Sequence, residues 1–286
     1  MNPSRKKDVI DPTVEKRIRK ALREDRARQD VTSRVLIPKS QKGKANLVTK
    51  ERGILCGLDV ARRCFSLLDE EVQLHARLKD GERINPGDVV ATVSGSARSL
   101  LSAERVALNF LCHLSGIATL TAEFVEKTKP FHVRIYDTRK TTPLWRSLEK
   151  YAVRVGGGYN HRHDLAGATF VKDNHIDACG GMYTALERLF GKGEIKSPVI
   201  VECRDIEEVK SASKYPVDII LLDNFSLPMV KEAITIISRG CEIEISGGVD
   251  LHNVARYAKI GASRISIGAI THSAKALDMS LIYVQG

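Results

Sequence analysis

The feature that most constrains the fold is an alternation of short apolar segments with longer amphipathic ones, which begins after Pro130. Each apolar segment has the length of one strand, and about ten residues with helical spacing follow it. The predicted strands are 131–137, 167–172, 198–202, 218–223, 242–246 and 264–268. The predicted helices are 144–155, 182–190, 206–214, 227–238 and 251–259. This alternation predicts a parallel sheet covered by helices.

Polar residues and glycines at the strand ends favour a barrel over an open sheet. Core packing does not require such residues, yet they end or directly follow five predicted strands: Asp137, Lys172 with Asp173, Glu202, Asp223 and the run Ser246-Gly247-Gly248. In (β/α) barrels the carboxyl ends of all eight strands meet at one active-site mouth. Because only six strands are visible, we expect an irregular (β/α) barrel with its active site at that mouth.

The first part of the chain has a different pattern. Residues 13–28 have helical spacing, and small polar residues at 29–33 predict a stop. Strand-like segments follow at 45–49, 72–78 and 89–94, around a predicted helix at 58–68. A long amphipathic helix is predicted from Ser102 to Lys127. These segments predict an α+β region whose long helix leads into the barrel.

The net charge of +10 is concentrated near the N-terminus, where residues 1–52 contain 16 Lys and Arg residues but 7 Asp and Glu residues. Such a segment could bind nucleic acid through phosphate contacts. Its basic and acidic residues alternate, as on a solvated helix face, and we therefore expect no nucleic-acid partner. The alternative is a basic RNA-binding protein, which would show salt-sensitive binding that survives mutation at the barrel mouth.

The sequence predicts a soluble cytoplasmic protein with free thiols. No apolar run approaches the roughly 20 residues of a membrane helix, and no apolar stretch follows the N-terminal charges as in a secretory signal. The six cysteines are scattered and form no C-x-x-C pair. We expect no membrane partner and no disulfide framework.

The densest group of chemically active residues lies at the predicted mouth, in segments 137–143, 160–163 and 170–175. These segments supply five cationic side chains: Arg139, Lys140, His161, Arg162 and Lys172. Guanidinium groups bind carboxylates or phosphates in a bidentate fashion, and lysines act as point charges. If the five surround one cavity, its ligand is a polyanion. The alternative is that they are solvated loop charges paired with Asp137, Asp164 and Asp173.

Two turns of small residues follow the last predicted strands: Ser246-Gly247-Gly248 and Ile267-Gly268-Ala269. Turns that open onto helix N-termini can bind phosphate with backbone N–H groups, although a packing turn is the alternative. Glu202 and Asp223 end neighbouring strands, where they could bind Mg2+ through water, hold ribose hydroxyls or stabilise a cationic sugar. Together these residues favour a magnesium phosphosugar over structural ion pairs.

Two further patterns stay open. The run Gly156-Gly157-Gly158 could be a mobile loop near a ligand or a helix stop. His161 and His163 form an H-x-H pair of the kind that binds metal in some hydrolases. This pair follows three glycines, encloses Arg162 and lacks a clear set of further ligands. A metal hydrolase is therefore disfavoured.

The order of the motifs resembles that of the quinolinate phosphoribosyltransferases, also called carboxylating nicotinate-nucleotide pyrophosphorylases. The resemblance covers the chain from Asp30-Val31-Thr32-Ser33 to Leu277-Asp278. Its motifs are Glu104-Arg105-x-Ala107-Leu108-Asn109, Asp137-Thr138-Arg139-Lys140-Thr141-Thr142-Pro143, Glu149-Lys150-Tyr151-Ala152-Val153, Gly156-Gly157-Gly158-x-Asn160-His161-Arg162, Lys172-Asp173-Asn174-His175-Ile176, Glu244-Ile245-Ser246-Gly247-Gly248 and Ser266-Ile267-Gly268-Ala269-Ile270-Thr271-His272-Ser273. Each motif is moderately specific, whereas their common order is highly specific.

The resemblance implies an α/β fold in three parts. These are an N-terminal open α/β sandwich with the linking helix at 1–129, an irregular α/β barrel with the active site at 130–270, and a C-terminal segment at 271–286 that returns to the N-terminal domain. It also implies a homodimer with shared active sites, in which Arg105 reaches the partner subunit's pocket. A hexamer of three dimers is the alternative assembly.

The resemblance also implies a reaction, in which phosphoribosyl pyrophosphate and quinolinate give nicotinate mononucleotide, pyrophosphate and CO2 for de novo NAD biosynthesis. The family's quinolinate contacts fall on Arg105, Arg139, His161, Arg162 and Lys172. Its phosphoribosyl pyrophosphate contacts fall on Thr138, Lys140, Glu202, Asp223, Ser246, Gly247, Gly248, Ile267, Gly268 and Ala269. Lys140, Glu202 and Asp223 are the expected catalytic residues. The expected cofactor is Mg2+, held mostly through substrate and water.

The chain departs from the family pattern at Pro143-Leu144-Trp145-Arg146, where Pro-Gly-Leu-Arg is usual. Val106 replaces a frequent Thr, and Ala262-Ser263 replaces a frequent Val-Asp, changes expected to affect packing more than chemistry. The nearest alternative function is that of a same-fold pyrophosphorylase-like protein with another substrate, such as the molybdenum-transport-associated relatives. The complete set of five quinolinate residues favours a ligand with two carboxylates.

Overall fold

The computed structural model describes residues 10–191, 193 and 195–284. The strands are β1 (Lys42–Thr49), β2 (Gly53–Ile54), β3 (Gln73–Ala76), β4 (Arg83–Ile84), β5 (Val89–Ser96), β6 (Arg134–Tyr136), β7 (Thr169–Val171), β8 (Val199–Cys203), β9 (Ile219–Asp223), β10 (Glu242–Ser246), β11 (Arg264–Ser266) and β12 (Met279–Val284). The helices are α1 (Pro12–Glu24), α2 (Val31–Leu36), α3 (Leu58–Leu68), α4 (Ala97–Thr128), α5 (Arg146–Val155), α6 (Asp173–Cys179), α7 (Met182–Phe190), α8 (Ile206–Ala212), α9 (Leu227–Ile236), α10 (Val254–Ala258) and α11 (Ala269–His272).

The described residues fall into two compact units. The first unit lies within Met1–Leu120, Ser147–Gly157 and Ala274–Gly286, and the second lies within Thr121–Arg146 and Gly158–Ser273. The helix α5 therefore belongs to the first unit, although it follows β6 of the second along the chain. The domain boundaries inferred from the sequence stay a prediction.

The first unit is built on a four-stranded antiparallel sheet with the strand order β12-β1-β5-β3. β12 pairs with β1 from Lys44 opposite Val284 to Thr49 opposite Met279. The predicted strands at 45–49, 72–78 and 89–94 correspond to β1, β3 and β5, and the predicted helix at 58–68 is α3. The sequence analysis did not predict β12, which completes the sheet from the far end of the chain.

Side-chain caps start the first two helices. Asp11 accepts a hydrogen bond from the backbone N–H of Val14 at 2.8 Å, so α1 begins with a satisfied N-cap. Asp30 accepts from the backbone N–H of Ser33 at 3.0 Å and caps α2 in the same way. The helix predicted at 13–28 ends earlier, at Glu24, and a 3-10 turn at Ala27–Gln29 separates it from α2. The stop expected at 29–33 is therefore misplaced, since Val31, Thr32 and Ser33 lie inside α2.

The long helix α4 spans 32 residues and starts before the predicted Ser102. By length and apolar composition alone, Ala97–Phe131 could cross a membrane, and 56% of its most apolar window is buried inside the protein. No apolar segment of this length was predicted from the sequence. Because the core helix of a globular protein meets the same criteria, the helix is weak evidence for a membrane span.

The second unit contains a six-stranded parallel sheet in the order β6-β11-β10-β9-β8-β7. Each strand overlaps one of the six predicted after Pro130, and β10 has the predicted bounds. A parallel bridge between Tyr136 and Tyr159 extends the sheet beyond β6. The α/β class, with its parallel strands and intervening helices, is therefore confirmed.

The helices of the second unit differ from prediction in two respects. α10 begins at Val254, three residues later than expected, and contains five residues. The short helices α6 and α11 were not predicted, because each directly follows a strand end that was interpreted as a ligand loop. The predicted helix at 182–190 has the bounds of α7.

The register of the parallel strands decides which side chains share a face. Glu244 on β10 lies opposite Leu221 on β9 and Arg264 on β11, and Leu221 lies opposite Glu202 on β8. Side chains opposite each other in register point to the same side of a sheet. Glu202, Glu244 and Arg264 therefore share one face, although they lie far apart in the sequence.

Candidate active site

The carboxyl edge of the parallel sheet gathers the strand-end residues singled out in the sequence. Glu202 lies in β8, Asp223 ends β9 and Ser246 ends β10. Asp137, Lys172 and Ile267 directly follow β6, β7 and β11. Because parallel strands all end at one edge, these residues lie where ligands bind in α/β proteins.

Asp137 anchors the segment that carries His161. Its side chain is fully buried and accepts hydrogen bonds from the side-chain amide of Asn160 at 2.6 Å and from the backbone N–H of His161 at 2.8 Å. A buried carboxylate is costly unless such partners surround it. Asp137 is therefore a buried residue that positions the loop, and it is not a solvated charge.

Four of the predicted cations belong to one group, named here the cationic cluster: Arg139, His161, Arg162 and Lys172. Phe170 on β7 contacts three of them. The His161 ring stacks on it with ring centres 5.5 Å apart, the Arg162 guanidinium carbon lies 4.8 Å from the ring centre and the Lys172 Nζ lies 4.6 Å from it. Phe170 packs in turn against a buried cluster that includes Ile200 and Leu221.

The electrostatics of the cationic cluster favour an anion. The pKa of Arg162 is lowered because its guanidinium is partly buried and because the like charge of Arg139 lies near it. The Arg139 Nε is buried and has no hydrogen-bond partner among the described residues. Like charges held close together, with a buried donor unused, are relieved when an anion binds between them.

Lys172 is placed by the start of the short helix α6. Its backbone N–H donates to His175 Nδ1 at 3.0 Å, which fixes the residue at the N-terminus of the helix. Its Nζ donates to Glu202 Oε2 at 2.9 Å. The sequence analysis assigned these two residues to different substrates, and the structure shows that they are hydrogen-bonded neighbours.

The turns after β9 and β10 pack so closely that a side chain is excluded between them. A Cβ on Gly247 would lie 2.3 Å from Asn224 Oδ1 and 2.7 Å from the Asn224 backbone N. Gly247 has φ +83°, and Asn224 has φ +57°, an uncommon value for a residue with a side chain. Asn224 also donates from its amide to Asp223 at 2.8 Å and from its backbone N–H to the Ser246 carbonyl at 2.9 Å.

Lys140 lies against the turn after β11. A Cβ on Gly268 would come 3.0 Å from Lys140 Cδ, and the Thr271 hydroxyl donates to the Lys140 carbonyl at 2.7 Å. The backbone N–H of Lys140 donates to Thr138 Oγ1 at 3.0 Å. Lys140, Asn224, Gly247, Gly248 and Gly268 are named here the turn cluster, since each belongs to, or packs on, a strand-end turn.

The expectation that both glycine turns open onto helix N-termini is wrong for the first turn. Gly248 is followed by five further residues before α10 begins at Val254, whereas Gly268 directly precedes α11. Both helices are short, with five and four residues. Phosphate binding there would depend on the backbone N–H groups of the turns more than on helix dipoles.

The departure at 143–146 has a local explanation. Leu144 has φ +67° and is 74% exposed, so it adopts the left-handed conformation that a glycine adopts freely. Arg146 braces the same loop by donating to Thr141 Oγ1 at 3.0 Å and to the His163 carbonyl at 3.1 Å. The loop can therefore keep its path without the usual glycine, at some cost in backbone strain.

Two open sequence patterns are clarified. The backbone N–H groups of Gly156 and Gly157 donate to the carbonyls of Ala152 and Arg154, so the glycine run ends α5.

His163 lies 3.8 Å from the Asp164 carboxylate and is exposed, whereas His161 is buried. Within 10–191, 193 and 195–284, no group of three or more His, Cys, Asp or Glu side chains is placed to hold a metal ion.

Arg105 lies on α4, in the first unit, and its side chain is exposed. Its expected role in a partner subunit's pocket stays a prediction.

Comparison with known proteins identifies the family. Residues 117–282 match the model of the quinolinate phosphoribosyl transferase C-terminal domain, and residues 30–115 match that of the N-terminal domain. The chain belongs to the quinolinate phosphoribosyltransferase family.

Individual members of the quinolinate phosphoribosyltransferase family are similar over nearly the whole chain. The probable nicotinate-nucleotide pyrophosphorylase [carboxylating] of Bacillus subtilis (strain 168) is 40% identical over 90% of this chain and 89% of its own. The nicotinate-nucleotide pyrophosphorylase [carboxylating] of Mycobacterium leprae is 39% identical over 92% of this chain and 95% of its own. The crystal structure of NadC from Streptococcus pyogenes has a TM-score of 0.90 and 42% identity over 96% of this chain and 99% of that one.

The sequence patterns assigned no role in the site to several residues that build it. They are Phe170, Asn224, Arg146 and Glu244. Phe170 and Glu244 could have been found by following alternate positions along β7 and β10 from Lys172 and Ser246, because these positions share the ligand-facing side. Asn224 and Arg146 act through loop contacts that leave no periodic signal.

Proposed function

We propose that this protein transfers the phosphoribosyl group of phosphoribosyl pyrophosphate to quinolinate and releases CO2, which gives nicotinate mononucleotide for de novo NAD biosynthesis. The observation that carries the proposal is the cationic cluster, with like charges beside a buried, unused Arg139 Nε. Membership of the family and the names of its members support it.

The cationic cluster suits a ligand with two adjacent carboxylates. Arg139 and Arg162 have planar guanidinium groups that can each bind one carboxylate in a bidentate fashion. Lys172 adds a point charge beside Phe170. The aromatic ring of Phe170 suits contact with a flat pyridine. We assign quinolinate to this cluster, with Arg105 supplied by the partner subunit of a homodimer with shared active sites. Dimer and hexamer remain the two candidate assemblies.

The turn cluster suits the phosphoribosyl pyrophosphate. Lys140 lies against the Gly268 turn, where its ammonium group could bind the departing pyrophosphate. Thr138, Ser246, Gly247, Gly248, Gly268 and Ala269 would supply hydroxyl and backbone N–H donors to the phosphates. The backbone N–H of Ile267 donates to the Tyr136 carbonyl at 2.9 Å, so Ile267 would act by positioning the turn. Glu202 and Asp223 lie at the ends of neighbouring strands, where carboxylates can stabilise positive charge on the ribose.

The donor set is compatible with Mg2+ held largely by substrate. Two carboxylates, Glu202 and Asp223, are too few for an all-protein cage, and one oxygen of each already accepts a hydrogen bond, from Lys172 and Asn224. Mg2+ usually keeps several waters and binds through one or two carboxylates plus substrate phosphates. When bound, it would neutralise charge on the pyrophosphate as that group leaves.

The chemistry needs no protein nucleophile. The pyridine nitrogen forms a bond to C1 of the ribose while the bond from C1 to the pyrophosphate oxygen breaks. The nitrogen is then cationic, so the electron pair left on C2 when the 2-carboxylate departs as CO2 is stabilised, and C2 takes up a proton. The protein orients the two substrates, excludes water and balances charge. We place this reaction in the cytoplasm.

The test is to incubate the purified protein with quinolinate, phosphoribosyl pyrophosphate and Mg2+, and to measure nicotinate mononucleotide and CO2. Nicotinate serves as the control base, because it lacks the 2-carboxylate. We expect one CO2 for each nucleotide, with quinolinate alone as the accepted base. A folded protein that forms neither product would contradict the proposal and favour a same-fold relative with another substrate.

A further inference from the structure

A chain of alternating charges ends at His161 of the cationic cluster. Arg134 donates to Glu242 at 2.5 Å, and the opposite oxygen of Glu242 accepts from Arg264, also at 2.5 Å. Arg264 contacts Glu244 at 3.5 Å, and the other oxygen of Glu244 lies 3.5 Å from His161 Nε2. These paired ions lead from the partly exposed Arg134 and Glu242 to His161, a member of the proposed quinolinate site.

Glu244 is the most enclosed member of this chain of charges. It is fully buried, and burial raises its pKa, while the hydroxyl of Ser266 and the charge of Arg264 oppose that effect. Its Oε1, the oxygen that faces His161, has no hydrogen-bond partner among the described residues. A buried carboxylate oxygen costs free energy unless a donor lies near it. The buried Oε1 of Glu244 therefore needs either a compensating contact or a role in the site that offsets this cost.

His161 has one tautomer that satisfies its surroundings. Its Nδ1 accepts a hydrogen bond from the backbone N–H of Arg162 at 2.8 Å, so that nitrogen carries no proton. The neutral ring therefore carries its proton on Nε2, the nitrogen that faces Glu244. Both ring nitrogens are directed at protein atoms, and the ring face lies on Phe170.

We propose that Glu244 is a positioning residue for quinolinate: it faces Nε2 of His161 and fixes the orientation of that ring, which holds the Arg162 backbone and the Phe170 ring in place. This inference rests on the proposed function. Through these contacts Glu244 controls where the Arg162 guanidinium and the Lys172 ammonium meet the two carboxylates. Arg264 holds Glu244 from the opposite side, directly across the strand pair.

The geometry distinguishes Glu244 from its neighbour on the same strand. Glu242 and Glu244 both pair with Arg264, and both lie on the same face of β10. Glu244 contacts His161, whereas Glu242 contacts Arg134 and is partly exposed. A substitution of Glu242 therefore removes a charge from the same network without touching the His161 contact.

The test compares Glu244→Gln with Glu242→Gln in the full-length protein. For Glu244→Gln we expect the KM for quinolinate to rise about tenfold while the KM for phosphoribosyl pyrophosphate stays within about twofold, because one charged contact in the pocket is altered. For Glu242→Gln both constants should stay within about twofold. An unchanged quinolinate KM in Glu244→Gln, an equal rise in both KM values, or the same effect from Glu242→Gln would overturn the proposal.

A second measurement does not depend on turnover. In wild-type protein labelled with 15N-histidine, NMR should show His161 with its proton on Nε2 and a bare Nδ1, assigned by the loss of its signals in His161→Gln. A proton on Nδ1 would overturn the proposal. A wild-type protein that did not convert quinolinate would contradict the proposed function, and this spectrum would still test whether the His161 nitrogen that faces Glu244 carries a proton.

Discussion

The cationic cluster and the turn cluster lie along the same edge of one sheet, yet they are built in opposite ways. Charged side chains gathered around Phe170 form the cationic cluster. The turn cluster depends on positions that lack a side chain, since Gly247 and Gly268 leave room for Asn224 and Lys140. A site made of side chains should lose affinity when a side chain is removed. A site made of tight turns should lose its structure when a side chain is added to one of its glycines.

The largest expected effect comes from adding a methyl group to the turn cluster. Gly247 has φ +83°, and Gly247→Ala would place a Cβ 2.3 Å from Asn224 Oδ1. We expect the free energy of unfolding to fall by about 3 kcal/mol and most of the activity to be lost. The measurement is urea unfolding. Gly240→Ala is the control, because Gly240 also has positive φ but nothing within 4 Å of its added Cβ, and about 1 kcal/mol is expected there. Equal losses in the two variants would contradict the steric argument.

The complementary experiment removes a side chain from the cationic cluster. Arg139→Ala deletes a bidentate donor for one carboxylate, so the KM for quinolinate should rise on the order of a hundredfold with little change in melting temperature. Steady-state kinetics and thermal unfolding measure the two effects. Lys210→Ala is the control, since Lys210 forms an exposed ion pair with Glu207. A folded Arg139→Ala protein with normal kinetics would remove Arg139 from the site.

A smaller effect is expected from the aromatic ring that the cationic cluster surrounds. Phe170→Leu keeps apolar volume but removes the ring beside His161, Arg162 and Lys172. Ring contacts of this kind contribute about 1 kcal/mol, so the quinolinate KM should rise about fivefold. Phe190→Leu is the matched control, because its ring stacks on Tyr215 instead. If both variants changed the KM alike, Phe170 would have no specific role.

The smallest expected effect is a gain in stability outside both clusters. Leu144→Gly relieves a left-handed backbone at an exposed leucine, and the gain of about 1 to 2 kcal/mol is offset in part by the entropy of glycine. We expect the melting temperature to rise by about 1 to 2 °C. Leu165→Gly, at another exposed leucine without positive φ, should lower it. A lower melting temperature for Leu144→Gly would show that the leucine side chain stabilises the loop.

Much of the second unit could be predicted from local patterns. All six parallel strands overlap predicted segments, because each is a short apolar run between turn residues. The helices α6, α10 and α11 were predicted less well, since they contain seven, five and four residues and are too short to give a clear helical period. The strand β12 was missed because it pairs with a strand more than two hundred residues away.

The sequence by itself determined the class of the fold, the family and the residues with ligand chemistry. Periodicity, caps and motif order depend on neighbouring residues, and they can be read without knowledge of the fold. Only the tertiary structure showed that Lys172 donates to Glu202, that Phe170 joins three cations, and that Glu244 lies beside His161. Strand register sets these contacts, and register depends on the packing of all strands together rather than on any local segment.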